Sequence, residues 1–77
     1  MTCGTYLKEK RLKKKITQAE LADRLGLSAQ YVGHVENVKV GVPVKQLRHW
    51  CEQIGASRRK AIGLLVSDYE NKIKQII

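Results

Sequence analysis

Seventy-seven residues are enough for one small domain and too few for a second core. A hydrophobic fraction of 43% with a single proline excludes a disordered chain, and no apolar run is long enough for a membrane span. Fifteen Lys and Arg against seven Asp and Glu give a net charge of +8, which suits a polyanionic partner because neutralised phosphates release counterions.

The first predicted helix covers residues 5–14, with Leu7 and Leu12 pointing inward. Six bases fall between Lys8 and Lys15, with only Glu9 opposed to them. Charge alone leaves two readings of this run, a solvated helix face or a nucleic-acid contact. Thr17, three residues before Glu20, forms a capping box that starts a second helix over residues 18–25. Leu21, Ala22 and Leu25 place its apolar face on the core. Gly26 supplies the left-handed residue that ends this helix, and Ser28 caps a third over residues 29–37. Val32 and Val35 hold the third helix on the core, leaving Gln30, Gly33, His34 and Asn37 outward. Two short helices so joined have the layout of a helix-turn-helix, whose second helix can enter a DNA major groove.

Residues 38–42 read as a loop, and Pro43 suits the first turn of a fourth helix. That helix carries Leu47, Trp50, Cys51 and Ile54 and stops at Gly55. Ser57 caps the fifth, which opens with the basic run Arg58, Arg59 and Lys60. Its apolar positions are Ile62, Leu65, Val66, Tyr69, Ile73, Ile76 and Ile77, an unbroken helical stripe. The first half can finish the core, while the isoleucines of residues 71–77 exceed what a five-helix globule must cover. An exposed stripe of this kind marks an interface, so Tyr69, Ile73, Ile76 and Ile77 are expected to join two copies. The alternative is a tail folded back on its own core.

Cys3, Cys51, His34 and His49 show none of the close pair spacings of a metal site, and no cofactor motif is present. Cys51 reads as a small core residue and Cys3 as an exposed thiol. No nucleophile–base pair and no glycine-rich phosphate loop can be found, so an enzyme is not expected. Without an apolar signal core behind the first residues, the expected location is the cytoplasm.

Gln18, Leu21, Ala22, Gly26, Ser28, Val32, Glu36 and Asn37 stand in a pattern that resembles the Cro/cI-type, lambda-repressor-like helix-turn-helix family over residues 7–55. The resemblance implies an all-α, compact five-helix bundle that binds two-fold operator DNA as a homodimer. It places Gln18 on a phosphate at the start of helix two. It puts Ser28, Ala29, Gln30, Tyr31, Gly33 and His34 on the DNA side of the recognition helix. Gln30 is the best base reader, since its amide both donates and accepts at adenine. Ala29 offers methyl contact with thymine. His34 either donates to guanine or a phosphate, or stands exposed without a partner, and Tyr31 either reaches the backbone or packs its ring. Asn37, Lys39 and Lys45 lie where the family contacts phosphates, which set register without reading sequence. Arg11 and Glu36 match positions that form an internal ion pair between helices one and three.

Lys15 and Val38 replace glycines common in the family, at positions that favour a left-handed backbone. A β-branched valine tolerates that poorly, so the loop at residues 38–42 is expected to take another path and unsettle Lys39. Ala29 and Gly33 also leave the reading face with few hydrogen-bonding groups, which points to a share of readout by DNA shape. The leading function is a dimeric repressor with no separate sensing domain, of the phage Cro-like, restriction-modification controller or antitoxin type. The alternative is a protein-interaction module that binds a partner protein through its last helix.

Overall fold

A computed structural model describes all 77 residues as five helices and no strand: α1 (Cys3–Lys13), α2 (Gln18–Leu25), α3 (Ala29–Glu36), α4 (Val44–Ile54) and α5 (Arg58–Ile76). The all-α expectation and the order of elements therefore hold. Trp50 on α4 is fully buried at the centre of a core built with Leu7, Leu21, Val32, Val35 and Ile54. Its indole N–H finds no acceptor, an uncompensated desolvation of about 1–3 kcal/mol.

Helix α1 starts two residues earlier than expected, and the difference moves Cys3. Thr2 Oγ1 accepts the Thr5 amide at 3.1 Å, and Asp68 of α5 accepts the Cys3 amide at 2.9 Å. These two caps draw Cys3 into the core with no exposure, contrary to the exposed thiol expected from its position. Burial first, then the Asp68 carboxylate and Cys51, push the Cys3 thiol up to about 11, and burial also raises Cys51. Leu12 is a second correction. The inward set on α1 is Cys3, Leu7 and Arg11, each one helical turn from the next, with Gly4 and Tyr6 buried beside them, and Leu12 falls off that face and is 54% exposed. Pro43 occupies the N-cap of α4, one residue before the helix proper.

Four helices end in one way. After α1 the Ile16 amide bonds the Arg11 carbonyl, after α2 Leu27 bonds Ala22, after α3 Lys39 bonds His34, and after α4 Ala56 bonds Cys51. Each is the long closing bond of a Schellman turn, which requires a left-handed residue just before it. Gly26 and Gly55 fill that place after α2 and α4, with φ of 69° and 67°. Lys15 and Val38 fill it after α1 and α3, with φ of 59° and 61°. The expected detour at Val38 is thus not taken: the closing bond holds the valine left-handed and fixes the Lys39 backbone against α3.

The tie between α1 and α3 is ionic. Arg11 Nε donates to Glu36 Oε2 at 2.7 Å and Arg11 Nη2 to Glu36 Oε1 at 3.0 Å, with both side chains almost wholly buried. Arg11 Nη1 also donates to the Ile16 carbonyl at 2.7 Å. The ion pair anticipated between these residues is present. Nearby, Gly4 passes so close to the Val35 carbonyl that a Cβ there would collide with it.

Helix α5 has two apolar faces, and only one closes the core. Ala61 is buried, with Leu64 and Leu65 packed beside it, while Ile62 and Val66 are half exposed instead of completing the core as expected. Residues 70–77 are exposed throughout, so the tail does not fold back on the globule.

Two stability changes follow. Val38→Gly relieves a left-handed cost of about 1–2 kcal/mol and loses roughly 0.5–1 kcal/mol to chain entropy, raising the melting midpoint by a few degrees. A lowered midpoint would show that Val38 is unstrained. Glu36→Ala strands the Arg11 guanidinium and lowers stability by about 3–5 kcal/mol in urea unfolding. A loss below about 1 kcal/mol, the range of exposed pairs, would remove this pair as a tie.

Candidate nucleic-acid interface

The capping box expected at α2 is present in both directions. Thr17 Oγ1 accepts the Glu20 amide at 3.0 Å, and Glu20 Oε1 accepts the Thr17 amide at 3.2 Å. The Glu20 amide is thereby satisfied, while the amides of Gln18 and Ala19 in the same first turn have no partner within the helix. Such free amides, at the positive end of the helix dipole, suit an anion such as a phosphate.

Gln18 is half-buried and does more than line this end. Its Nε2 donates to Glu36 Oε1 at 3.0 Å, so one carboxylate holds both Arg11 and Gln18. An amide nitrogen carries two hydrogens, and the second remains available. The ion pair thus extends into a three-residue network that orients the side chain at the start of α2.

Gly33 corrects the expected outward set. It is buried beneath the Gln18 amide, whose atoms would lie 3.5 Å from a Cβ at this position. Glu36 follows Gly33 by three residues on the same side of α3, so the face that meets Gln18 includes both. Gly33 therefore presents no surface for reading a base.

The remaining outward residues fall as expected. Ala29, Gln30 and Asn37 are exposed, and His34 is half-buried with no hydrogen bond from its ring. Ser28 uses its hydroxyl on the Tyr31 amide at 3.1 Å, which caps α3 at the end that carries Ala29 and Gln30. Tyr31 is half-buried and packs against the core, which favours the packing alternative over a free reaching hydroxyl. Lys39 is exposed within the loop that joins α3 to α4, and Lys45 is exposed in the first turn of α4.

Charge is distributed to match. Only two ion pairs form in the chain, the buried Arg11–Glu36 pair and an exposed Arg48–Glu52 pair. Lys8, Lys13, Lys15, Lys39 and Lys45 therefore meet solvent without a carboxylate partner. No cluster of His, Cys, Asp or Glu is placed to hold a metal ion. No helix is long and apolar enough to cross a membrane.

Sequence reasoning missed the link from Gln18 to Glu36, though both residues were singled out for separate roles. The signal was in the spacing: if Arg11 reaches Glu36, then the turn between α1 and α2 must bring Gln18 alongside.

The chain matches the Helix-turn-helix family model HTH_3 over residues 7–55, from the middle of α1 to the end of α4. Among solved structures it is similar to the clp gene regulator ClgR from Corynebacterium glutamicum, at 25% identity and a TM-score of 0.73. That similarity covers 95% of this chain and 78% of the regulator's chain. No curated protein matches the sequence. With the paired helices, their caps and the Arg11–Glu36 tie all in place, the chain belongs to the helix-turn-helix family of DNA-binding transcription regulators.

Proposed function

We propose that this protein is a dimeric transcriptional repressor, a single domain that works in the cytoplasm without catalysis by occupying a two-fold DNA operator. The observation that carries the reading is the division of α3 into a locked inner face and a free outer one. Val32, Gly33, Val35 and Glu36 are buried, whereas Gln30 and Asn37 are exposed. A helix held this firmly can present side chains to base edges without much ordering cost on binding. The similarity to a gene regulator over nearly the whole chain supports the regulatory part of this reading.

Roles follow from chemistry and position. Gln30 reads a base through its amide, Ala29 contacts a thymine methyl, and His34 donates to a base or a phosphate. Gln18 gives its second amide hydrogen to a phosphate, next to the free backbone amides of α2. Asn37, Lys39 and Lys45 hold the backbone further along. Ser28 and Tyr31 support the helix that reads, and Gly33 makes room for Gln18. With few direct reading groups, DNA shape carries part of the specificity. Tyr69, Ile73, Ile76 and Ile77 supply the contact between protomers. Phage Cro-like repressors, restriction-modification controllers and antitoxins are the kinds of regulator that such a domain fits.

The base reader and the phosphate contact separate experimentally. Gln30→Ala lowers discrimination between a selected operator and random duplex by about 1–3 kcal/mol in competition binding. Equal loss on both duplexes would remove Gln30 as a base reader. Lys39→Ala weakens both duplexes alike and reduces the slope of log affinity against log salt by about one unit. An unchanged slope would exclude a phosphate contact at Lys39.

A further inference from the structure

The basic run that opens α5 has no part in the interface built above. Arg58, Arg59 and Lys60 are exposed, the first turn of α5 holds no acidic residue, and neither ion pair of the chain involves them. Bases at this end of a 19-residue helix face the positive pole of its dipole, so the fold gains nothing from them. Arg58 turns toward α4, where it lines a shallow depression with Leu47 and Arg48. Lys60 turns toward α1. Its ammonium lies 5.1 Å from the centre of the Tyr6 ring, and that of Lys10 lies 6.0 Å from the same ring. Arg59 stands beside Lys60, on the side of α5 away from buried Ala61. Lys14, one turn after Lys10, lies along Gly55 at the end of α4, with its Nζ 3.6 Å from where a Cβ on that glycine would stand. The Ser57 amide donates to the Tyr6 hydroxyl and fastens the two helices at this point. Lys10, Lys14, Arg59 and Lys60 thus form one cationic surface across α1 and α5.

We propose that this surface holds the phosphate backbone of a second segment of DNA, one that α3 does not read. The assignment goes beyond the operator contact and needs no dimer. Unpaired cations gathered on one surface repel one another, and a partner with closely spaced negative charges removes that repulsion. Duplex DNA, with about one charge per 1.7 Å of its axis, is such a partner. A protein partner needs an apolar or aromatic anchor at the centre of its contact, and the one ring here, that of Tyr6, is itself buried. Helix α5 packs on α1 and α4 and touches neither α2 nor α3, so its basic end lies outside the helix-turn-helix. Ammonium and guanidinium contacts to phosphates fix position and read no base. A segment held here is therefore taken without sequence selection, and one protein brings two stretches of DNA together.

Amide chemical shifts of the full chain test this in two steps. A short operator duplex, selected for binding and added to equivalence, is expected to shift amides of α2 and α3 and to leave those of Lys10, Lys14, Arg59 and Lys60 in place. A random duplex added next is expected to shift these four in a saturable way. In a chain carrying Arg59→Gln and Lys60→Gln the second titration is expected to weaken about tenfold or more. Its slope of log affinity against log salt is expected to fall by about two units, one per lost phosphate contact. No second set of shifts, or one that survives the double substitution, would overturn the proposal. Shifts at the four cations with operator alone would place them on the flank of the same duplex and overturn the second segment. Inorganic tripolyphosphate that binds them more tightly than duplex would overturn DNA as the ligand. The melting midpoint of the double variant is expected not to fall, because both residues oppose the helix dipole. A fall would show that they serve the fold and would equally overturn the proposal. An operator that shifts no α3 amide would instead reject the operator reading, while a saturable response of the four cations to random duplex would still support this surface.

Discussion

A single buried carboxylate holds the helix-turn-helix of this molecule in shape. Glu36 takes two hydrogen bonds from Arg11 and one from Gln18, so its two oxygens join α1, α2 and α3. Arg11 spends its remaining nitrogen on the Ile16 carbonyl in the turn that leads to α2. Taking two charges out of water is costly, and a buried pair of this kind adds little net stability over a well-packed apolar one. Its contribution is orientation. A bidentate guanidinium–carboxylate pair has one good geometry, whereas valine and leucine contacts tolerate sliding. With Glu36 on the inner side of α3, that geometry sets the rotation of the helix and hence which side chains meet solvent.

The closing turns act on the same problem from the backbone side. Four successive helices end in one hydrogen-bond pattern, and each turn aims the next helix. Where glycine occupies the left-handed place, the turn forms without steric cost. At Lys15 and Val38 it forms against that cost, because the alternative leaves buried carbonyls at the helix end without donors. Both strained turns border the helix-turn-helix: one feeds Gln18 toward Glu36, and the other positions Lys39. The core tolerates this because Trp50, Leu7 and the buried aliphatic residues around them fix the packing independently.

Helix α5 stands apart from this arrangement while being anchored to it. Asp68 caps α1, and the Tyr6 hydroxyl accepts the Ser57 amide at 2.9 Å, with Lys60 lying 5.1 Å above the Tyr6 ring. These contacts fasten one side of α5 to α1. The adjacent side carries the exposed Ile62, Val66, Ile73 and Ile76, and α1 packs on both α5 and α3, which do not touch each other. The exposed apolar face of α5 and the helix-turn-helix are thus built on different helices.

The sequence by itself determined the five helices, their caps at Thr17, Ser28 and Ser57, and the placement of Leu21, Val32, Trp50 and Ile54 in the core. These depend on local periodicity and on hydrogen bonds three residues long, which a linear reading can follow. It also showed the Arg11–Glu36 pair, through a family resemblance rather than through any spacing rule. The tertiary structure alone decided the rest. Gly33 turned inward because Gln18, fifteen residues earlier in the chain, lies over it. Cys3 was buried because a carboxylate sixty-five residues away caps its helix. Val38 kept its left-handed backbone because Lys39 bonds the end of α3. In the first two cases the deciding partner is remote in sequence. In the third, a closing bond outweighs the residue's own preference, and periodicity shows neither effect.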